Sequence, residues 1–245
     1  MYEGVDELNE ITLLQLRQMD PDVRSVVVRR FSESIDWAEA GRCVGDSPPL
    51  KKLTVLGESM NWKGDPRTFD RFARFCAGLA RGGSVERLSL RRCNLNGEAA
   101  VPAVAGLAPL FERGPNLRSL EMTSCSFKDD IARLLSSALS RRRSKGSLRR
   151  INLDANAIGD AAGRDLADAL RGYDHLAELS LGDNEIGRGG CVALAALLSR
   201  HANLKELNLE NNRIDDEASV TDILRRMHAD RRTGQWPDAL TVHRH

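Results

Sequence analysis

The sequence predicts an α/β fold, a right-handed solenoid of strand–helix coils with parallel strands inside and helices outside. Three observations carry this expectation. A pattern of the form L-x-x-L-x-L-x-x-N/C-x-L occurs five times in succession. The start-to-start intervals are 32, 31, 28 and 28 residues, a period that marks repeat architectures. Between occurrences the apolar period changes from two to about 3.6, the signature of a strand giving way to a helix.

The elements follow in order. Leu8, Ile11, Leu14 and Leu16 predict a helix within residues 1–22 that caps the open end of the stack, which otherwise exposes its core. Residues 23–84 read as degenerate coils. Val23, Val26 and Val28 match the strand spacing, and Leu50, Leu53 and Val55 repeat it 27 residues later. Their helices are expected near Ile35–Cys43 and along Phe69, Phe72, Ala73, Cys76 and Leu79.

Regular coils fill residues 85–230. They begin with Val85, Leu88, Leu90, Cys93 and Leu95, then Leu117, Leu120, Met122, Cys125 and Phe127. Leu148, Ile151, Leu153, Asn156 and Ile158 come next, then Leu176, Leu179, Leu181, Asn184 and Ile186. Leu204, Leu207, Leu209, Asn212 and Ile214 complete the set. Outer helices are predicted by Ile131, Leu134, Leu135, Ala138 and Leu139, by Ala162, Leu166, Ala169 and Leu170, and by Leu194, Leu197 and Leu198. In the tail, 231–245, Pro237, Leu240 and Val242 begin a final strand that stays incomplete.

Each slot has a physical task. The middle apolar pair buries one face of a short strand. The first and last apolar residues turn inward where the chain bends. Under that bend an Asn amide satisfies backbone groups that would otherwise be buried unpaired. Asn156, Asn184 and Asn212 are thus expected to stack as a buried ladder.

From Val85 to about Met227 the repeats resemble the ribonuclease-inhibitor-like leucine-rich-repeat family. The resemblance implies a horseshoe and a buried, inert role for Cys93 and Cys125, since that family also alternates Cys with Asn in the ladder slot. It further implies that the concave strand face is the main contact surface.

Composition fits. Hydrophobic residues make up 41% and aromatics only 4%, which suits thin aliphatic layers. Lys and Arg number 36 against 35 Asp and Glu, so a basic excess for nucleic acid is missing. Residues 81–150 hold 14 basic and 6 acidic side chains, and residues 151–217 hold 6 and 13. The molecule is expected to be polarised along its length. Five scattered cysteines form no CxxC pair, which argues against a disulfide framework or zinc site. With no apolar run long enough for a membrane and no signal-peptide pattern, an intracellular protein is expected, cytoplasmic or nuclear.

Residues alternating with the buried pairs should line the horseshoe. The candidate contact residues are Arg87, Arg91, Arg92, Glu121, Arg150, Asn152, Asp154, Glu178, Asp183, Glu206, Asn208 and Glu210. Arg29, Arg30, Lys52, Thr54, Ser89, Ser119, Thr123, Ser180 and Asn211 share that register. The face runs from basic to acidic, as a dock for a protein of opposite polarity would.

Other features have plainer readings. The basic run Arg141–Lys145 fits a helix C-terminus as well as a nuclear signal. His243 and His245 lack a third metal ligand nearby. Asp129–Asp130 and Asp215–Asp216 sit where helices start. No phosphate loop, no GxSxG, no HExxH and no nucleophile with a base occurs, so neither catalysis nor a cofactor is implied.

The leading expectation is a non-catalytic scaffold that binds a protein partner. The alternative is a regulator of a small GTPase, since the Ran GTPase-activating proteins look like this repeat subtype. No residue is carried over from them, and their usual acidic tail has no counterpart here. A receptor sensor domain is a third option, without an accompanying nucleotide-binding domain.

Overall fold

A computed structural model describes residues 6–7, 9–59, 67–141, 147–198, 201, 203–214 and 239–241. The chain opens with β1 (Asp6–Glu7) and α1 (Glu10–Arg17). Then β2 (Ser25–Val28), α2 (Trp37–Asp46), β3 (Lys52–Leu56) and α3 (Arg67–Leu79) form two coils. Three more follow as β4 (Arg87–Arg91), α4 (Val101–Arg113), β5 (Ser119–Thr123), α5 (Asp129–Ser140), β6 (Arg150–Asn152) and α6 (Asp160–Ala169). The described array closes with β7 (Glu178–Ser180), α7 (Arg188–Leu198), β8 (Glu206–Asn208) and β9 (Ala239–Thr241).

These nine strands form one sheet in chain order, and every neighbouring pair is parallel. Equivalent residues of successive repeats pair directly, Leu88 with Leu120, Ile151, Leu179 and Leu207 in turn. The expected solenoid is present with its register. The final strand from the Pro237–Leu240–Val242 pattern is seen as β9 paired with β8. Arg142–Lys145, Asp215–Asp216 and the two terminal histidines lie outside the described residues.

The start of the chain differs from expectation in one respect. The segment before α1 adds β1 to the edge of β2, so the cap includes a strand as well as a helix. Asn9 caps α1, its Oδ1 accepting from Thr12 N at 2.9 Å. Asp36 caps α2 with bonds from Ala38 N and Glu39 N, which places its first helical residue at Trp37.

The first coils hold an aromatic knot. Phe31 meets Trp37 at 4.4 Å between ring centroids and Phe72 at 5.4 Å, and Phe75 closes the group. Beside it α2 and α3 touch backbone to backbone. A Cβ on Gly41 would lie 2.1 Å from the Phe75 carbonyl oxygen, and one on Gly78 would lie 2.2 Å from that of Ala38. Gly45 and Gly82 repeat the close approach one turn on.

Further along, the ladder takes over. Asn184 Oδ1 accepts from Ile158 N at 3.1 Å, and its Nδ2 donates to the carbonyls of Leu153, Leu181 and Gly182. Asn212 makes the same set one coil later, with Ile186 N, Leu181 O, Leu209 O and Glu210 O. Asn156 bonds Cys125 N, Phe127 N, Met122 O, Leu153 O and Asp154 O. Only Asn184 is fully buried; Asn156 and Asn212 are half-buried yet equally bonded.

The residue before each ladder slot is left-handed. Arg92, Ser124, Ala155, Asp183 and Asn211 all have φ between 52° and 56°. None is glycine, so the turn is held against its intrinsic cost of about 1 kcal/mol by the bonds around it. In the two Cys coils the following residue, Asn94 or Ser126, is left-handed too. A second bridge joins coils at the helix starts. Asp129 Oδ1 accepts from Gly159 N at 2.7 Å, and Asp160 Oδ1 accepts from Gly187 N at 2.8 Å and Gly190 N at 2.6 Å.

Cys93 and Cys125 fill their ladder slots without exposure. Cys125 Sγ lies 3.3 Å from both Leu90 O and Thr123 O, either of which can accept its one S–H proton, and Cys93 Sγ is placed likewise between Val55 O and Arg91 O. Burial pushes the thiols of Cys76 and Cys93 well above the usual range, and that of Cys191 up to about 12. Alkylation in native buffer at mildly alkaline pH is therefore expected to label Cys43, which is half-buried, well before the other four. Fast labelling of Cys93 and Cys125 would show that the slot assignment is wrong. Unfolded thiols ionise near pH ~8.5. The stability gained by keeping Cys191 protonated is complete below that value and is lost as pH rises toward about 12.

Candidate functional site: the concave strand face

The parallel register sets two polar rows across the inner face. Lys52, Arg87, Ser119, Arg150, Glu178 and Glu206 form one. Thr54, Ser89, Glu121, Asn152, Ser180 and Asn208 form the other. From β5 to β8 these rows line an open groove of about 370 Å³, with Ser119, Glu121, Arg150, Asn152, Ser180 and Asn208 in its walls.

Six of the twelve candidate residues meet there: Glu121, Arg150, Asn152, Glu178, Glu206 and Asn208. Arg87 and Arg91 lie on β4, beyond one end of the groove. Asp154 and Glu210 follow the ends of β6 and β8. Arg92 and Asp183 occupy the left-handed turn, off the sheet face.

Among the described residues most of the charges are held in pairs or hydrogen bonds, Arg87, Glu206 and Glu210 excepted. Arg91 Nε pairs with Glu121 Oε1 at 2.7 Å, and Ser89 Oγ donates to the other Glu121 oxygen at 2.9 Å. Arg150 Nε pairs with Glu178 Oε1 at 2.7 Å, and Arg92 reaches Glu58 at 2.7 Å. Asp154 accepts from Ser180 Oγ and from Gly182 N at 2.6 Å. Asn152 and Asn208 each cap the end of their strand, accepting from Asp154 N and Glu210 N at 2.9 Å. Asp183 accepts from Asn211 Nδ2 at 2.8 Å. The length-wise polarity read from the sequence is partly cancelled where these pairs join basic and acidic coils. Such half-exposed pairs contribute little stability, about 0–1 kcal/mol each. Their effect is to hold the face in one geometry.

Sequence reasoning passed over the residues just before each strand. Arg118 and Arg149 stand there, because the backbone bonds Arg118 N to Glu86 O and Arg149 N to Arg118 O continue the ladder outward by one residue. A position directly preceding the concave register was the available signal.

The groove offers hydroxyl, amide, carboxylate and guanidinium groups. Among the described residues no group of three or more His, Cys, Asp or Glu side chains is placed to hold a metal. Nor is any described helix long and apolar enough to cross a membrane.

Comparison with known proteins bears on the fold. A profile of the Leucine Rich repeat family matches residues 175–195 and 200–218. The actin-binding site 2 of leiomodin-1 is similar with a TM-score of 0.50 and 15% identity, covering 66% of this chain and 87% of that one. The tropomodulin C-terminal domain of Caenorhabditis elegans gives 0.50 at 10% identity, covering 64% and 91%. An internalin from Listeria monocytogenes gives 0.41 at 16% identity, covering 86% and 67%. No curated protein matches the chain.

Proposed function

We propose that this leucine-rich-repeat chain is a non-catalytic scaffold, of the ribonuclease-inhibitor-like subtype, that binds a protein partner on its concave face. One observation carries the reading: a polar groove across β5–β8 that is open to solvent and held rigid by bonds between strands. Pre-set side chains lose little freedom on binding, which favours recognition. The matched region of leiomodin-1 is an actin-binding site, which supports a protein rather than a small-molecule ligand for this architecture. For the subtype, the support is the 28-residue coil with its helix and the mixture of Asn and Cys in the ladder. The proposed division is a cap at 1–22, degenerate coils at 23–84, regular coils at 85–230 and a tail. The proposed setting is intracellular.

The test starts with a partner captured from the native source and remade in pure form. Ser119→Trp, which obstructs the groove at a side chain with no described hydrogen bond, should weaken binding by about tenfold or more. Reversing Glu206 and Glu210 to Lys should slow association and reduce its salt dependence. Arg164→Glu, on the exposed side of α6, should do neither. Loss of binding through Arg164→Glu alone would place the dock on the convex side and end this reading. A partner that is a small GTPase whose hydrolysis accelerates on binding would replace scaffold by regulator.

A further inference from the structure

The charge on this molecule is arranged across the coils as well as along them. All helices run the same way, so their C-terminal ends and the strand N-terminal ends share one rim. At the helix ends two basic side chains are already engaged: Arg141 pairs with Glu112 at 2.6 Å and Arg171 with Asp168 at 2.6 Å. The strand ends differ. Backbone bonds order Lys51, Glu86, Arg118, Arg149 and Ala177 in one row, next to the row of Lys52, Arg87, Ser119, Arg150 and Glu178.

Over the four coils from β3 to β6 these two rows contain six basic residues and one acid, Glu86. Glu86 is shared between Lys51 at 3.3 Å and Arg118 at 3.7 Å. Arg118 and Arg149 are direct cross-strand neighbours, with Arg149 N bonded to Arg118 O at 2.8 Å. Like charges set side by side on a sheet are destabilising. At Arg91 and Arg150 on the face, and at Arg92 on the turn beside it, the fold supplies a carboxylate. Here Arg87 and Arg149 are exposed and have no ion pair among the described residues. Two unpaired arginines, flanked by Arg118 and Arg150 that each share a single carboxylate, leave an excess of positive charge along this rim that an external anion can meet.

We infer that the rim formed by Arg87, Arg118, Arg149 and Arg150 receives an extended acidic segment of the protein partner, laid across the strands. This rests on the concave-face reading and names the chemistry of its partner. Strand spacing of about 4.8 Å makes the basic stretch from β3 to β6 about 15 Å long, the reach of some four to five extended residues. Guanidinium groups repeated at that interval suit carboxylates, which they bind in bidentate fashion. A nucleic acid fits less well. The band is interrupted at Ala177 and Glu178, and beyond them Lys205 stands beside Glu206, so a continuing phosphate backbone would meet two carboxylates.

The experiment titrates the full chain into a fluorescein-labelled peptide of about eight alternating Glu and Asp residues, followed by anisotropy. Binding is expected, and it should weaken as salt rises from about 50 to 200 mM. The double variant Arg118→Gln, Arg149→Gln should lose about tenfold or more in affinity, while its thermal midpoint holds or rises because the like-charge contact is relieved. Arg164→Glu should bind the peptide as the wild type does. Wild-type chain that ignores the peptide, or a rim variant that binds it unchanged, overturns the inference. So does tighter binding of an oligo-dT strand of equal charge, which would assign the rim to nucleic acid. A pure partner separates this failure from the other. One that tolerates the rim variant but not Glu206→Lys with Glu210→Lys leaves the concave dock standing and removes the rim; one lost only through Arg164→Glu removes the dock.

Discussion

Replacing Gly41 with alanine is expected to destabilise the first coils by about 2–3 kcal/mol. The added methyl would sit 2.1 Å from the Phe75 carbonyl oxygen and 2.8 Å from the Leu79 nitrogen. Both are backbone atoms of α3, so no side chain can swing aside. The helices must separate, and the knot of Phe31, Trp37, Phe72 and Phe75 next to them loses contact. Alanine does favour a helix over glycine by about 1 kcal/mol, and it restricts the unfolded chain. The steric term is larger, so the net sign is a loss. Gly83→Ala is the matched control: its new atom would meet only Pro115 at 3.5 Å, an ordinary contact. Coils interact only with neighbours, so the damage should be local. Hydrogen exchange should rise in α1, α2 and α3 and stay unchanged in α6 and α7. A Gly41→Ala chain that melts with the wild type would show that the helices are farther apart than described.

Asn184→Leu is expected to lower stability by about 1–3 kcal/mol. Leucine fills the slot but leaves Ile158 N–H and the carbonyls of Leu153, Leu181 and Gly182 without the amide. Asn184→Cys should fall between, because a thiol can give its one proton to a carbonyl, as Cys125 is placed to do, but cannot replace the oxygen that receives the amide proton. Chemical denaturation of the three chains reads the order directly. Equal midpoints for asparagine and leucine would mean that the ladder bonds contribute nothing net.

The repeat was legible because its signal is local. Leu179 and Leu181 alternate within one strand, and the turn signature around Asn184 lies within three residues of them. Agreement among five copies is enough to set the register of the sheet. What was hidden depends on partners 20 or more residues apart. Nothing near Gly41 says that Gly78 will face it, although each is followed four residues later by another glycine, Gly45 within α2 and Gly82 just past the end of α3. The short strand β1 carries no pattern of its own and exists only because β2 offers an edge. For the concave face, parity placed Arg150, Asn152 and Glu178 correctly on the sheet. It could not say that Arg150 would be bonded to Glu178, nor that Arg118, out of parity by one, would share the rim. Alternation describes a flat strand, whereas the chain bends at the entry to each coil and turns the preceding side chain outward.

Each ladder asparagine reaches backwards. Asn184 serves the coil before its own, and Asn212 repeats the service with equivalent atoms. The seam between the coils of β6 and β7 is thus interchangeable with the seam between those of β7 and β8. A duplicated stretch of gene encoding 28 residues, spliced in register at Leu153 or Leu181, would meet the same acceptors above and the same donors below. Lengthening the array there asks for no compensating change elsewhere. The glycine-locked helices α2 and α3 allow no such insertion, because each is cut to fit one particular neighbour. Growth by copying is open to one end of this protein and closed to the other.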